Sequence, residues 1–446
     1  MRQMRAPGGR NRTAAFPCQF FAGHDLHPMR QTDGKKLPVL SRLRKTGTLK
    51  ENPVTDACQK ATPPPGVRGL PALYAAFLCL FVNISLMYLY PLALAEMGIP
   101  RARIGFIMGV FSMAAVASRP FLGMAVQRVG EWRVILPGLV LATAAGLCYP
   151  FLQSYGPAII TVRVLHGIGF SAFIAGGFSM AARAIPAQSR GQAFGFLGAA
   201  ITAAVALAPP AGEILIDAGG FNALYSAAAM ALPAAAVFCR ISIKAASLGS
   251  PEPPPPAGAL RIVLAAPSFC AILAITWCFS HSQSTVMNFL ALAAEEAGSS
   301  GGKFFFASFT AALATLLGCS RIADRLPKKA LLRIFLPVMA LSLAATPRLM
   351  ASTYWPFPAL AFGLSLGMLF PVLNAMAAGS SPGLSAASMA VFTAVYDTGF
   401  ITGPVVSGWT AEIAGLPAAF DVAALTGAVA FAVAVAAFRN PSGRRR

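Results

Sequence analysis

Twelve apolar runs of about 20 residues follow residue 70 of this 446-residue chain. A helix of about 20 residues spans the hydrocarbon core of a bilayer, where backbone polar groups must be hydrogen-bonded internally. Only 11% of the residues are charged, whereas soluble domains carry about 25%. The pattern predicts an all-α membrane protein with twelve transmembrane helices. The runs lie at 71–94, 103–124, 134–153, 157–182, 192–214, 221–240, 263–292, 303–322, 330–350, 355–378, 386–409 and 417–438.

A proline-rich segment separates the sixth run from the seventh. It spans residues 241–262 and contains Ser250-Pro-Glu-Pro-Pro-Pro-Pro256, a composition typical of a semi-rigid linker. We therefore predict two six-helix domains, an N-terminal half at 69–240 and a C-terminal half at 263–440.

Two basic tails flank the predicted helices. Residues 1–68 are polar and low in periodic apolar residues, which predicts a disordered tail. The basic stretch from Lys35 to Lys45 can contact anionic lipid headgroups, and a flexible extension without that contact is the alternative. A translation start at Met29 is an alternative account of this tail. Residues 441–446 form a short basic C-terminal tail.

The distribution of positive charge predicts the orientation. With an even number of spans both termini lie on one side, and that side carries 29 Lys and Arg against four on the other. Without the long tail the ratio is 16 to four. Cytoplasmic loops are rich in Lys and Arg, so both termini are predicted to be cytoplasmic. This placement also argues against nucleic acid as the reason for the net charge of +20.

Two charged side chains lie deep within predicted spans, Arg163 in the fourth and Asp397 in the eleventh. A charge at bilayer depth costs from about 3 to more than 10 kcal/mol, so it usually faces a water-filled cavity or a partner in the bundle. These residues indicate a protein that moves a polar species across a membrane. The eight cysteines are scattered, mostly in apolar runs, and predict neither disulfides nor a metal site.

The two predicted halves repeat one another. Gly123–Gly130 matches Ser320–Pro327 after the second helix of each half, and Ala208-Pro209 matches Gly403-Pro404 in the fifth. The matched positions lie 195 to 197 residues apart. An internal duplication with a site at the interface between repeats is typical of secondary transporters.

These matches resemble the major facilitator superfamily over about residues 70–440, which implies that fold with pseudo-two-fold symmetry. The cytoplasmic gate motif Gly-x-x-x-Asp-Arg-x-Gly-Arg-Arg resembles Gly123 to Arg133, with Gln127 at the Asp position and Glu131-Trp132 at basic positions. The resemblance implies a gate role for a set found in the two copies of the motif; the alternative is that Arg128 and Arg133 only set the orientation of the chain in the membrane. The set is Gly123, Arg128, Gly130, Arg133, Asp324 and Arg325.

The fourth helix resembles the family's Arg-x-x-x-Gly-x-Gly motif at Arg163, Gly167 and Gly169. The resemblance implies that Arg163 takes part in proton coupling; the alternative is that it only bonds backbone carbonyls and holds helices together. His166 shares the helix face of Arg163 because it lies three residues later. Its neutral-range titration suits proton transfer, and a packing role is the alternative.

The fifth helix resembles the antiporter motif, a series of spaced glycines before Gly-Pro. The motif favours close, kinked helix packing and points toward export. Ala204, Ala208 and Glu213 stand where the family has glycine. The predicted helix-packing residues in the fifth and eleventh helices are Gly195, Pro209, Gly212, Gly399, Gly403 and Pro404.

The resemblance further implies a cavity lined by the first, fourth, seventh and tenth helices. The polar residues Asn83, His281, Asn288 and Asn374 fall on those helices. With Arg163 and His166 they predict a central polar site, while Asp397 on the eleventh helix is expected beside it or paired with a neighbour.

The resulting functional hypothesis is a secondary active transporter of the bacterial inner membrane. We predict proton-coupled export of a small organic compound by alternating access, from a protein that functions as a monomer. Uptake by a symporter or facilitator is one alternative, and a non-transporting sensor or assembly factor on the same fold is another. No enzyme activity or cofactor is predicted, since the sequence holds neither a P-loop nor a zinc-type cluster.

Overall fold

The computed structural model of the chain describes residues 69–185, 190–245, 258–318, 325–381 and 383–438. Within these ranges the chain forms helices and connecting turns, without β-strands. The predicted tails, most of the linker and Asp324 lie outside the described residues.

Ten helices in the described ranges are long and apolar enough to cross a membrane. Nine of them are single crossings, because each contains 18 to 30 residues. We name these nine α1 (Leu70–Glu96), α2 (Arg101–Val129), α3 (Glu131–Phe151), α4 (Pro157–Ala184), α8 (Gly301–Gly318), α9 (Lys328–Leu349), α10 (Pro356–Ala378), α11 (Ser385–Ala414) and α12 (Leu416–Ala437).

The remaining helix of the ten, Arg190–Ala245, contains two crossings. Its 56 residues would extend about 80 Å as one helix, more than twice the hydrocarbon thickness. The helix is broken at Gly219 and Gly220, and Gly220 adopts a left-handed φ of 67° that only glycine takes readily. We name the two parts α5 (190–218) and α6 (221–245).

One further long helix, α7 (Pro267–Glu296), is less apolar than the ten. Residues 280–285 read Ser-His-Ser-Gln-Ser-Thr, six consecutive polar residues near its middle. With α5 and α6 counted separately, α7 brings the segments to twelve, as predicted. It begins four residues later than the predicted run because Pro267 starts a new helix after the short helix Ala259–Leu264.

The helices pack as two groups, α1–α6 and α7–α12. The groups meet mainly along two helix pairs, α2 with α11 and α5 with α8. We call the end of the bundle at which α1 begins the N-terminal face, and the end at which α1 stops the opposite face. Most of the large buried side chains lie in one cluster that runs through both groups.

Small residues bring α2 and α11 into backbone contact. A Cβ atom added to Gly105 would collide with the carbonyl oxygen of Pro404 and lie 2.9 Å from the Cα atom of Gly408. Gly399 and Gly403 make the same kind of approach to α7. Gly212 packs against α1 and α6, and Pro209 is buried, whereas a Cβ atom added to Gly195 would meet no atom within 4 Å. Close packing therefore involves every predicted helix-packing residue except Gly195.

Substitution of Gly105 by valine should lower the melting temperature of the purified protein and its yield in the membrane. The added side chain has no space between α2 and α11, and overpacking of this kind costs about 1–3 kcal/mol or more. Gly123→Val on the same helix is the matched control, because a Cβ atom there meets nothing within 4 Å. Equal melting temperatures for the two variants would contradict the tight α2–α11 contact.

Candidate functional site

A continuous chain of hydrogen bonds runs through the buried interior of the first six helices. Arg163 Nη1 donates to the hydroxyl of Tyr149 at 3.4 Å, and that hydroxyl lies 3.1 Å from His166 Nδ1. His166 Nε2 lies 2.9 Å from Asn83 Oδ1, and Asn83 Nδ2 donates to the carbonyl of Ala228 at 2.8 Å. Asn83, Tyr149, Arg163 and His166 are each at most 2% exposed. The chain joins α1, α3, α4 and α6.

The partners of Asn83 fix the direction of this chain. Because its amide nitrogen donates to the carbonyl of Ala228, its oxygen faces His166 and must accept a hydrogen bond from Nε2–H. A neutral His166 then has its lone pair on Nδ1, where it accepts from the hydroxyl of Tyr149. Tyr149 in turn accepts from Arg163. Every bond points from Arg163 toward Ala228, an arrangement in which each bond polarises the next.

Arg163 is a buried cation without a carboxylate partner in the part of the chain that the structure describes. Its Nε donates to the carbonyl of Ile107 on α2 at 3.2 Å. The guanidinium lies over the rings of Phe111 and Tyr90, 4.9 and 5.6 Å from their centroids. Backbone, phenol and aromatic faces therefore replace an ion pair, at about 0.5–2 kcal/mol for each ring contact. A buried charge held in this way is a strong candidate for a functional role.

The polar run of α7 forms a second buried network, in the other half. Ser282 Oγ donates to the carbonyl of Ala423 on α12, and Thr285 Oγ1 lies 2.8 Å from Ser407 Oγ on α11. His281 Nδ1 lies 3.1 Å from Thr402 Oγ1, while its buried Nε2 has no hydrogen-bond partner among the described residues. The run therefore fastens α7 to α11 and α12.

Gln283, in the same run, points toward a cluster of aromatic side chains. The hydroxyl of Tyr396 donates to its Oε1 at 2.8 Å. Around Tyr396 lie the rings of Phe279, Phe370 and Phe400, with centroids 6.3, 5.3 and 5.4 Å from it. Across the interface between the two groups of helices, Tyr88 of α1 stacks on Phe305 of α8, with the ring centroids 6.0 Å apart.

Asp397 forms an ion pair with Arg119, which links α11 to α2 and therefore joins the two halves. The side chains of Arg119 and Asp397 are 27% and 18% exposed. Asp397 is thus paired with a neighbour, one of the two placements expected from the sequence.

Carboxylates also join the halves at the opposite face. Arg101, at the start of α2, forms an ion pair with Glu296 at the end of α7, and its backbone N–H donates to Glu412 of α11 at 2.7 Å. Glu213 of α5 accepts the backbone N–H of Gly302 at 2.7 Å, at the start of α8. A carboxylate at a helix N-terminus satisfies free N–H groups and the helix dipole. The glutamate that replaces a motif glycine therefore caps a helix of the other half.

The gate motif is mostly exposed in the structure. The side chains of Arg128, Arg133 and Arg325 are exposed, and a Cβ atom added at Gly123 or Gly130 would meet nothing within 4 Å. Within the motif, Glu131 is only 6% exposed and contacts α4. Its carboxylate accepts hydrogen bonds from Arg183 at 2.6 Å and from Ser179 at 2.9 Å. The acidic residue at a basic motif position is thus matched by an arginine at the end of α4.

The structure brings only part of the predicted central site together. Asn83, Arg163 and His166 share one network, within the first half. Asn288 donates to the carbonyl of Ser284 on its own helix at 2.7 Å, His281 bonds to α11, and Asn374 is half-buried on α10.

Sequence reasoning missed Tyr149, Gln283, Tyr396 and the Arg119–Asp397 pair. The six consecutive polar residues in an otherwise apolar run were the available signal for Gln283.

The sequence Gly363-Leu-Ser-Leu-Gly367 matches the nucleophile-elbow pattern of some hydrolases, which requires a strand-to-helix turn. These residues lie within α10, and the buried hydroxyl of Ser365 donates to the carbonyl of Ala361 at 2.8 Å.

Comparison with protein families identifies the fold. The Major Facilitator Superfamily model matches residues 72–382 and 304–446. The chain belongs to the major facilitator superfamily. Its two groups of helices are therefore the two six-helix halves of this transporter fold, and Arg119–Asp397 is a contact between them.

Relatives and solved structures agree with this assignment. The chain is similar to the quinolone resistance protein NorA of Staphylococcus aureus, with 21% identity over 161 residues, 36% of this chain and 41% of that protein. The match therefore spans less than half of NorA. A bacterial homologue of the human lysosomal transporter Spinster, in an inward-facing conformation, superposes with a TM-score of 0.67 at 15% identity over 84% of this chain and 98% of that one. The nucleoside transporter NupG superposes with a TM-score of 0.69 at 13% identity, over 84% and 100% of the two chains. At these identities the superpositions establish the fold.

Proposed function

We propose that this major facilitator superfamily transporter exports a small amphipathic organic compound in exchange for protons, by rocking of its two halves. The observation that supports the proposal is the buried hydrogen-bond chain from Arg163 through Tyr149 and His166 to Asn83. NorA, a resistance protein by name, supports the outward direction. The substrate is a small molecule, and the protein acts as a monomer.

The hydrogen-bond chain offers a place for a proton in transit. A neutral His166 accepts from Tyr149 at Nδ1, so a proton bound at that nitrogen would force the hydroxyl of Tyr149 to accept instead of donate. Tyr149 would then have to aim its hydrogen elsewhere, and its contact with Arg163 would change. Because the chain ties α1, α3, α4 and α6 together, this reversal would couple the protonation of His166 to the packing of the first half.

The loop charges support an orientation for the bundle in the bacterial inner membrane. Arg128, Arg133, Arg183 and Arg325 lie at the N-terminal face, whereas Arg103 and Lys303 lie at the other. We therefore propose that the N-terminal face is cytoplasmic, with both chain termini inside.

Inside-out membrane vesicles with an acidic interior should accumulate the substrate when a panel of amphipathic organic compounds is supplied outside. Protons leaving such vesicles would drive the substrate in, which corresponds to export from the cell. Accumulation should be lost when a protonophore collapses the gradient, and vesicles without the protein are the control. Accumulation that requires an alkaline interior would instead indicate proton-driven uptake. A protein that moves no compound under either gradient would support a sensor or assembly role.

A further inference from the structure

A cavity of about 230 Å³ opens at the opposite face within the first half, between the ends of α1 and α3 and the start of α6. Its mouth is lined by exposed polar residues, which are Glu96, Gln153 and Asn222. Tyr149 and Tyr225 also line it, although they are only 1% and 3% exposed. The cavity therefore leads from the opposite face to the tyrosine that bonds to His166.

Two buried hydroxyls beside Tyr149 have no hydrogen-bond partner among the described residues. They belong to Tyr90 and Tyr225, whose ring centroids lie 4.9 and 5.5 Å from that of Tyr149. A buried hydroxyl without a partner costs about 1–3 kcal/mol, and buried water commonly satisfies such groups. One water needs about 10–15 Å³, so the cavity has room for several. Tyr225, which lines the cavity, therefore marks its inner end as a site for water.

Tyr149 can pass a proton from that water to His166 and remain neutral. Its hydroxyl donates to His166 Nδ1 and accepts from Arg163, which leaves room for one further hydrogen bond at the oxygen. A hydronium ion in the cavity gives a proton to this oxygen, while the original hydroxyl proton moves to Nδ1. The products are water, a neutral tyrosine and an imidazolium. The new hydrogen of Tyr149 faces the cavity, so the hydroxyl is free to accept from the imidazolium.

The far end of the hydrogen-bond chain does not conduct protons. The Asn83 amide and the carbonyl of Ala228, which follow His166, do not titrate near neutral pH. Arg163 stays charged and repels an imidazolium, so a proton on His166 is held only transiently. That proton can return to the cavity, but it reaches the N-terminal face only after the helices move. Access to His166 is therefore one-sided in this conformation, as exchange without leakage requires.

The charge around the mouth favours protons. Among the described residues that line the cavity, Glu96 is the charged one. A second cavity at the same face is lined by Glu295, Glu296 and Glu412 together with Arg101. Carboxylates in a cleft raise the local concentration of cations, so this face is suited to collect protons.

We propose that the cavity is a water-filled entry for protons to His166, which runs through the first half itself rather than between the halves. Tyr225 holds the innermost water, and Tyr149 transfers the proton. The inference rests on the proposed exchange for protons and specifies the route.

X-ray hydroxyl-radical footprinting of the purified protein in lipid nanodiscs tests for the water without a gradient or a substrate. The radicals form from water, so a buried side chain is modified where water lies beside it. Tyr149 and Tyr225 should be modified at rates close to that of Tyr155, which is 41% exposed. Phe173, fully buried in the same half, should remain unmodified.

Tyr225→Phe removes only the hydroxyl that holds the innermost water. It should reduce the modification of Tyr149 and slow proton-driven accumulation in vesicles about fivefold, the equivalent of one hydrogen bond. Substrate counterflow without a gradient should keep its wild-type rate. Tyr155→Phe is the matched control, because Tyr155 is exposed at the same face and does not line the cavity.

Two results would overturn the proton entry. One is the absence of modification at Tyr149 and Tyr225, whatever the vesicles show. The other is proton-driven transport at the wild-type rate in Tyr225→Phe. Modification of both tyrosines in a wild-type protein that shows no proton-driven transport would contradict the proposed exchange for protons, and the route with it, while the water in the cavity would stand.

Discussion

Arg163→Ala should abolish gradient-driven transport while the protein still inserts and folds. Arg163 supplies the first donor of the chain that leads to His166, so its loss leaves the hydroxyl of Tyr149 without that donor. Folding should be affected less, because no carboxylate among the described residues loses its partner. Hydrogen bonds to a charged group contribute about 1.5–3 kcal/mol each, and release of a buried cation from its desolvation penalty offsets part of that loss.

Two measurements separate coupling from stability in Arg163→Ala. Proton-driven accumulation should fall more than about tenfold, the equivalent of 1.4 kcal/mol, while substrate counterflow without a gradient should persist. Proton-driven accumulation by Arg163→Lys should be intermediate. A lysine keeps the charge but lacks the planar guanidinium, whose separate N–H groups reach both Tyr149 and Ile107. Arg103→Ala, at an exposed site, is the control. Full proton-driven transport by Arg163→Ala would exclude this residue from the mechanism.

Asp397→Asn should open the N-terminal face of the bundle and impair transport. The change leaves Arg119 without its carboxylate at the contact between the halves. Breaking a buried ion pair costs about 3–5 kcal/mol. The cost here should be smaller, because the two side chains are 27% and 18% exposed and water screens the charge that remains. Even a reduced cost is sufficient to shift an equilibrium between two conformations by tenfold or more, since that needs about 1.4 kcal/mol.

Spin labels at Gln127 and Ser385, exposed ends of α2 and α11, would report this opening as a longer distance. The labels require a background without the native cysteines. The double variant Arg119→Asp, Asp397→Arg should restore both the distance and part of the transport rate. Asp421→Asn is the matched control, because Asp421 pairs with Arg348 within one half, at the surface. Unchanged distance and transport in Asp397→Asn would show that the pair does not hold the halves together.

Several features of the fold were predictable because they depend on local physics. Apolar runs of membrane-spanning length force helices, since no water is available to satisfy the backbone. Repeats such as Ala208-Pro209 and Gly403-Pro404 indicated duplication. The face shared by Arg163 and His166 followed from helical periodicity, and both side chains contact Tyr149.

Partners in other helices were outside the reach of sequence reasoning. Asp397 stood out as a charge in an apolar run, but its pairing with Arg119 joins residues 278 positions apart. From the sequence, Glu131 was only a departure from a basic motif position. The structure shows that it forms an ion pair with Arg183. In both cases the interaction depends on helix packing that no local pattern encodes.

Composition and run length were enough to predict the class of protein, the twelve apolar segments and the positions of the unusual charges, because insertion into a bilayer depends on apolar composition and helix length. The partners of those charges, in contrast, depend on how the helices pack. The structure places Asn83, Arg163 and His166 inside one half rather than in a central site, and it brings Gln283 of α7 together with Tyr396 of α11. A polar group in an apolar interior must be hydrogen-bonded, and it bonds to whichever partner the packing of the helices brings within reach.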